Sequence, residues 1–448
     1  MGDERMGLAG TVALLATTIA VVFGVALSTE DRASSRVSET SAGAAADEPA
    51  PKLDSEELLQ LGLDRAPTVA RRVAEIRGIE FDQVPKPQVT DIESLRGLAE
   101  DEIAKPKVAR TLAAGEAELK LLGLLEPEAS LADVSTDVTA DAAAYYDPKE
   151  KELFLLGDAV PAGPALAEFI LAHELDHALE DQVFGLPSSQ ASNDDQALAE
   201  SALVEGSATA LMTEYAARHL AVTDLLSESG AIESDTSDLP PVILAQVTFS
   251  YIGGQQFVDE LRASAGGGWD LVDFAYQRRL PASTEQILHP EKYLDDEGPL
   301  PVIGPPGAGA GWEQVDAGAV GEFITREILR QDAQDPGADA AAAGWGGDRY
   351  RLFHRDGAPD DCVANCRDEY ALAIAWRGDD EDESAELNEA LNDFVERSLG
   401  GVAGKDGETW ALEGGWAATE ISGDVTTLAL APDKALARLL ARPARQVE

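Results

Sequence analysis

The chain has 448 residues, which is enough for two or three domains with sizeable hydrophobic cores. Asp and Glu number 83 against 34 Lys and Arg, so the formal net charge at pH 7 is −49. This charge argues strongly against nucleic acid and anionic membrane surfaces as partners, because both would repel the protein. It is typical of a highly soluble exported protein and compatible with a salty environment.

The N-terminal part contains an apolar stretch, Met6 to Leu27, without a charged side chain. The stretch is long enough to cross a bilayer as a helix, and it also resembles a long signal peptide with small residues near its end. We predict that residues 1–27 are a transmembrane anchor, which we prefer, or a signal peptide. Residues 28–54 are rich in Ser, Ala and acidic residues and are predicted to be a disordered linker. The expected location is the cell membrane with the bulk of the chain outside the cytoplasm, or secretion.

Three helices and one extended segment are predicted before the central part of the chain. One helix begins at Ser55, an extended segment covers residues 78–89, a second helix begins at Asp91, and a third covers residues 107–122. Residues 142–156 then have the pattern of two short strands around a turn at Asp147 and Pro148. We predict that these elements form an α+β unit that packs around the helix that follows.

The segment from Pro164 to Gly185 has the pattern of one long helix, with Pro at a first helical position and Gly at the C-terminal cap. Within it, the residues from His173 to His177 form an H-E-x-x-H motif. Two imidazoles four residues apart lie on one helix face, which suits two neighbouring positions around a tetrahedral zinc ion. Glu174 is rotated away from them, so its carboxylate can hold a water molecule rather than the metal. The alternative is a surface helix that carries two histidines.

A second long helix is predicted from Asp194 to His219. Glu205 interrupts the apolar face of this helix, and Gly206 beside it would allow another element to approach closely. A buried carboxylate needs a partner, and a metal ion is one. Because a loop between the two helices can bring Glu205 back alongside His177, we predict Glu205 as the third metal ligand. The alternative is an exposed or salt-bridged carboxylate.

A second, smaller domain is predicted after a Pro- and Gly-rich boundary at residues 294–311. We assign residues 55–300, which end in further helices, to the first domain and residues 312–448 to a small α+β domain. In the latter, helices are predicted at 319–330, 381–399 and 432–441, and strands at 349–354, 370–376, 409–412, 416–421 and 425–431. Cys362 and Cys366 are expected to form a disulfide, which an exported location permits.

With these residues in place, the chain resembles the gluzincin clan of zinc metallopeptidases. Four stretches are similar to a poorly characterised group of prokaryotic, envelope-associated proteins of that clan: H-E-L-D-H-A-L-E-D-Q at 173–182, A-L-V-E-G-S-A-T-A at 202–210, S-T-E-Q-I-L-H-P-E-K-Y at 283–293 and G-W-G-G-D-R-Y at 344–350. The resemblance covers about residues 70–440. Asp176 departs from the pattern, because an uncharged residue is usual before the second histidine.

The resemblance implies an α+β fold in which a zincin-like metallopeptidase domain precedes the small C-terminal domain. The first domain would combine a small sheet, the active-site helix and a helical second half. It implies a zinc ion on His173, His177 and Glu205, with Glu174 as the general base. Three protein ligands leave one position for water, whose pKa zinc lowers toward neutrality.

Gluzincins also use a later His or Tyr to stabilise the oxyanion of the reaction. The first candidate is His289, in a turn before Pro290, and the alternatives are Tyr251 and Tyr293. The predicted hairpin just before the active-site helix could take an extended peptide as an additional strand. It is equally compatible with an ordinary hairpin of the core.

The expected function is therefore that of a zinc endopeptidase with peptide or protein substrates. One alternative is a catalytically inactive zincin-fold protein that binds peptides or cell-envelope partners, although the intact Glu174 speaks against it. Another is a hydrolase that acts on something other than peptides. The sequence does not predict the oligomeric state.

Overall fold

The computed structural model describes residues 55–140, 144–156, 163–187, 191–229, 239–331, 337–359, 362 and 364–443. These residues form a mixed α+β structure, as predicted. Residues 1–27, predicted as an anchor or signal peptide, and the predicted linker 28–54 lie outside the described ranges. Within those ranges, no helix has the length and apolar character needed to cross a membrane.

The part of the chain before residue 300 is mostly helical and contains a small sheet. Its elements are α1 (Ser55–Arg77), β1 (Pro87–Thr90), α2 (Ile92–Ile103), α3 (Pro106–Leu121), α4 (Leu131–Ala140), β2 (Ala144–Asp147), β3 (Glu152–Leu156), α5 (Pro164–Val183), α6 (Asp194–His219), α7 (Val222–Ser229), α8 (Pro241–Thr248), a π-helical turn (Phe249–Gly253), α9 (Gly254–Ser264), α10 (Asp270–Arg278), α11 (Thr284–Leu288) and α12 (Pro290–Leu294). Most of the segment predicted as extended, 78–89, is irregular, and only its end belongs to β1.

The small sheet has the order β1-β3-β2, with β1 parallel and β2 antiparallel to the central strand β3. Strands β2 and β3 are the hairpin predicted around Asp147. Strand β2 lies at an edge of the sheet and packs against α5. The edge strand of the sheet therefore lies beside the helix that carries the H-E-x-x-H motif.

Helix α5 is the centre of this part. Pro164 begins it, and Gly185, whose φ is +74°, follows its end in the left-handed conformation that glycine adopts most readily. Residues 168–181 are all buried, because α1, α6 and β2 surround the helix. A helix without a solvent face must find a partner for each of its charged side chains. The acidic residues in α5 therefore mark internal polar contacts.

The C-terminal part is built on a seven-stranded antiparallel sheet with the order β4-β5-β6-β10-β9-β8-β7. Its elements are β4 (Trp312–Gly318), α13 (Gly321–Arg330), α14 (Ala338–Ala343), β5 (Trp345–Arg355), β6 (Tyr370–Gly378), α15 (Glu381–Arg397), β7 (Val402–Ala403), β8 (Thr409–Leu412), β9 (Gly415–Ser422), β10 (Val425–Ala431) and α16 (Lys434–Leu440). The five predicted strands are present, and β4 and β7 extend the sheet at its two edges. A disulfide joins Cys362 to Cys366, as predicted.

Helix α3 connects the two parts, which the sequence analysis did not anticipate. Its residues Val108 and Leu112 pack with α8, whereas Ala117 and Leu121 pack with Trp345 in the core of the large sheet. The helix is apolar on two faces, so it is buried between two cores. Of the leading elements that were expected to pack around α5, α1, β2 and β3 contact it, whereas α3 belongs to the two other cores.

Buried carboxyl groups occur where α6, α11 and α13 meet. Asp195 Oδ1 accepts hydrogen bonds from the Thr284 backbone N–H (2.9 Å) and from Thr284 Oγ1 (2.6 Å). Burial raises the pKa of Asp195 to about 7 although these bonds lower it, and the nearby acidic groups Asp348 and Glu285 raise it further. The ionised form is therefore disfavoured in the folded protein.

We expect Asp195→Asn to stabilise the protein at pH 8 and to have little effect at pH 4. The folded pKa of Asp195 lies above its unfolded value, so the stability it contributes is present below about pH 4 and is lost as the pH rises through 7. The asparagine keeps an oxygen acceptor and does not ionise. The gain in unfolding free energy at pH 8 would be up to about 4 kcal/mol. Urea unfolding at pH 4 and at pH 8 measures it.

The matched control is Asp91→Asn at the exposed N-cap of α2. The pKa of Asp91 is lowered by its hydrogen bond from the Ser94 N–H, so its replacement should cost stability at neutral pH and not at low pH. A stability difference for Asp195→Asn that does not change with pH would contradict this account.

Candidate metal centre

Three predicted ligands meet at one point between α5 and α6. The Nε2 atoms of His173 and His177 are 3.0 Å apart, and Glu205 Oε2 lies 3.3 Å from the first and 3.5 Å from the second. These side chains form the group that could hold a metal ion among the described His, Cys, Asp and Glu residues. The geometry therefore brings together, from two helices, the donor set that the sequence analysis selected.

All three side chains are buried, with His173 fully enclosed and His177 and Glu205 almost so. The alternatives for these positions were a surface helix that carries two histidines and, for Glu205, an exposed or salt-bridged carboxylate. Burial excludes the surface helix and the exposed carboxylate, whereas Glu205 does lie within ion-pair distance of both histidines. Buried polar groups of this kind require a partner, which here is either the other members of the group or a cation.

The three side chains change one another's pKa values. Burial alone would raise the pKa of Glu205, but the two histidines lower it to about 2. Burial lowers the pKa of His173, and His177 lowers it further. The pKa of His177 instead rises to about 9, because the charge of Glu205 outweighs the effect of burial. A metal ion at this point would therefore compete with a proton on His177.

Glu174 lies beside the group and is not part of it. Its Oε2 accepts a hydrogen bond from the Tyr146 backbone N–H in strand β2 (2.9 Å), whereas Oε1 is buried and has no hydrogen-bond partner in the described part of the chain. Burial raises the pKa of Glu174 to about 8. The edge strand thus orients this carboxylate and leaves one of its oxygens available.

Tyr251, rather than His289, lies against the metal group. The ring of Tyr251 is stacked almost parallel to that of His173, with centroids 5.8 Å apart. Burial and the interaction with Glu205, which includes a side-chain hydrogen bond, raise the pKa of Tyr251 well above its ordinary value. The hydroxyl is therefore a hydrogen-bond donor at neutral pH.

The other two candidates for the oxyanion role are engaged elsewhere. His289 ends α11, and its Nε2 lies 3.1 Å from Glu322 Oε1 at the start of α13. Tyr293 donates its hydroxyl to the Arg279 carbonyl (2.7 Å). The structure therefore places Tyr251, one of the two alternatives, against the metal group, whereas Glu322 holds His289, the first candidate, at the junction with the C-terminal part.

Two glycines explain how Tyr251 reaches the metal group. A Cβ on Gly206 would lie 2.1 Å from the carbonyl carbon of Gly254, and a Cβ on Gly254 would lie 2.0 Å from the carbonyl oxygen of Ala202. The backbones of α6 and of the segment after Tyr251 are therefore in direct contact. The close approach predicted at Gly206 is present, and the element that approaches is the start of α9 at Gly254, directly after the π-helical turn that contains Tyr251.

We expect Gly254→Ala to destabilise the protein by about 2–3 kcal/mol, since the new methyl group would meet backbone atoms that cannot move away alone. The matched control is Gly97→Ala in α2, where a Cβ would have no neighbour within 4 Å. That change should raise stability by about 0.5–1 kcal/mol through helix propensity. Urea unfolding of both variants measures the difference, and equal effects would contradict the packing described here.

A buried cation that was not predicted from the sequence lies behind the metal group. Arg77, the last residue of α1, lies 3.4 Å from Asp176, 3.0 Å from Glu180 and 3.1 Å from Asp273, and its guanidinium carbon is 4.3 Å from the centroid of the Trp269 ring. Asp176 is therefore internal and faces Arg77, which explains why a charged residue stands between Glu174 and the second histidine. The sequence feature that could have indicated this cation is the number of acidic residues in α5, since buried carboxylates need a partner of opposite charge.

Comparison with known proteins gives one match. A family model described as a domain of unknown function, DUF8575, matches residues 311–440. No curated protein and no solved structure matches the chain. The matched range extends from β4 to α16 and does not contain the metal group, so the comparisons assign no activity to that group.

Proposed function

We propose that this protein is a zinc-dependent peptidase of the gluzincin type, with a zincin-like fold in residues 55–300. The observation that carries the proposal is the convergence of the His173, His177 and Glu205 donor atoms beside the carboxylate of Glu174. Four groups of these types, in these roles, are what metal-assisted hydrolysis of a peptide bond requires.

The spacing of the donor atoms fits a zinc ion. Around a tetrahedral zinc with bonds of about 2.0–2.2 Å, neighbouring ligand atoms are roughly 3.3–3.5 Å apart. The separations of 3.0, 3.3 and 3.5 Å are close to this value. Glu205 Oε2 is buried, and its polar neighbours are the Nε2 atoms of His173 and His177, so a cation held by all three atoms would replace a proton on the histidines as the partner of this carboxylate. Three protein ligands are also typical of a catalytic rather than a structural zinc site.

Each residue then has a defined task. His173, His177 and Glu205 would hold the zinc, which when bound lowers the pKa of water and polarises a carbonyl group. Glu174 is oriented through Oε2 by the Tyr146 N–H, and the positive charge of a bound zinc would oppose the effect of burial on its pKa and favour the ionised carboxylate. In that form it would accept the proton of the attacking water at Oε1 and deliver it to the leaving amine. The hydroxyl of Tyr251 would donate a hydrogen bond to the oxyanion.

The position of β2 supports a peptide as the substrate. In an antiparallel edge strand, the N–H and C=O of alternate residues point away from the sheet. The Tyr146 N–H points to Glu174 rather than to β3, so the open edge of β2 faces the active-site helix. An extended peptide could pair with this edge and lie across the metal group. The exported or membrane-anchored location is proposed from residues 1–27 alone.

The test is hydrolysis of an unstructured protein substrate by the purified full-length chain. We expect cleavage that a zinc chelator abolishes and that one equivalent of zinc restores. Cleavage that is insensitive to the chelator would contradict the proposal. A protein that binds zinc tightly and cleaves no peptide in a broad peptide mixture would instead favour the inactive peptide-binding alternative.

A further inference from the structure

Glu180 joins four helices behind the metal group. Its Oε1 accepts hydrogen bonds from Ser207 Oγ (2.6 Å) and from the Arg77 guanidinium (3.0 Å), and its Oε2 accepts one from the Tyr276 hydroxyl (2.6 Å). Ser207 belongs to α6, Arg77 to α1 and Tyr276 to α10, whereas Glu180 itself belongs to α5. The carboxylate is fully buried, so these contacts replace water completely.

The contact between Glu180 and Ser207 joins the two helices within one turn of the metal ligands in sequence. Glu180 is three residues after His177, and residues three or four apart share one helix face. Ser207 is two residues after Glu205 on the partner helix. Because the donor atoms come from two separate helices, the distance between these helices decides whether all three can reach one ion.

We propose that Glu180 is a positioning residue that, through Ser207, fixes α6 against α5 and thereby sets the metal affinity of the site. This inference rests on the metal site proposed above. The hydrogen bond from Ser207 is the link that acts on the ligand Glu205. The hydrogen bond from Tyr276 comes from a helix without a ligand and goes to the other oxygen, so its loss would leave the contacts of Ser207 and Arg77 with Oε1 in place.

A merely structural role makes a different prediction. If Glu180 only compensates the charge of Arg77, then loss of either hydroxyl partner would lower the stability of the metal-free protein and leave the affinity for metal unchanged. If Glu180 positions α6, loss of the Ser207 hydroxyl would weaken metal binding and loss of the Tyr276 hydroxyl would not.

The experiment compares Ser207→Ala with Tyr276→Phe in the full-length chain. Each variant removes one hydroxyl from the same carboxylate, so each is the control of the other. The dissociation constant for Zn²⁺ is measured by competition with a chelator, the Co²⁺ form is examined by visible absorption, and thermal unfolding of the metal-free protein is recorded. We expect Ser207→Ala to weaken zinc binding by about tenfold and to change the Co²⁺ spectrum, whereas Tyr276→Phe stays within about twofold of the parent with an unchanged spectrum.

Equal zinc affinities and equal Co²⁺ spectra for the parent and Ser207→Ala would overturn the inference and leave the proposed zinc site intact. Equal weakening in both variants would also overturn it, because the effect would then reflect general packing. A parent protein that binds neither Zn²⁺ nor Co²⁺ would overturn the proposed function itself, and the inference with it.

Discussion

Glu174→Gln is expected to reduce peptide hydrolysis by about 10²–10⁴-fold and to leave zinc binding close to that of the parent. Glutamine has nearly the same shape, and its amide oxygen can still accept the Tyr146 N–H. It cannot take a proton from water at neutral pH. The expected pattern is therefore a fall in kcat at an almost constant zinc content, both measured on the same preparation.

The matched control for Glu174→Gln is Glu200→Gln. Glu200 is a buried glutamate on α6 whose Oε1 accepts a hydrogen bond from Gln196 (2.8 Å), away from the metal group. Its replacement should change kcat by less than about threefold, since the amide keeps that acceptor. Full activity in Glu174→Gln would remove Glu174 from the mechanism, and loss of zinc in that variant would make it a ligand rather than a base.

Arg77→Met is expected to destabilise the protein by about 3–5 kcal/mol. The methionine would fill much of the same space beside Trp269, but Asp176, Glu180 and Asp273 would lose the cation that compensates their charges. Buried carboxylates without a cation take up protons, so the loss should be greater at pH 8 than at pH 5. Urea unfolding at the two pH values measures both effects.

Arg65→Met is the control on the same helix. Arg65 pairs with Glu168, but 43% of its side chain is exposed and Glu168 also contacts Arg72, so this change should cost within about 1 kcal/mol. A loss for Arg77→Met no larger than that of the control would mean that the buried cluster contributes nothing to stability.

Much of the fold follows from local patterns in the sequence. Helix α5 could be delimited because Pro164 and Gly185 have direct conformational consequences at helix ends. The hairpin of β2 and β3 and five strands of the large sheet follow from short, mostly apolar runs. Strand order, and the burial of α3 between two cores, depend on contacts between distant segments that no local pattern encodes.

The residues of the candidate site also fall into those that a local sequence pattern predicts and those that only tertiary packing brings together. His173, Glu174 and His177 stand on one helix, so their spacing alone places them, and Glu205 could be inferred because an acidic residue on an apolar face needs a partner. Tyr251 and Arg77 come from distant segments that are brought in by tertiary packing. His289 was chosen because its motif resembles that of the family, but the contact with Glu322 depends on how the C-terminal part packs.

The central claim is that His173, His177 and Glu205 form a zinc site, and the zinc content of the protein tests it most directly. The full-length chain would be prepared with sufficient zinc, dialysed, and analysed for metal beside His177→Ala and Glu205→Ala. This account predicts about one zinc per chain in the parent and almost none in either variant. A parent without zinc, or variants that both retain it, would contradict the account.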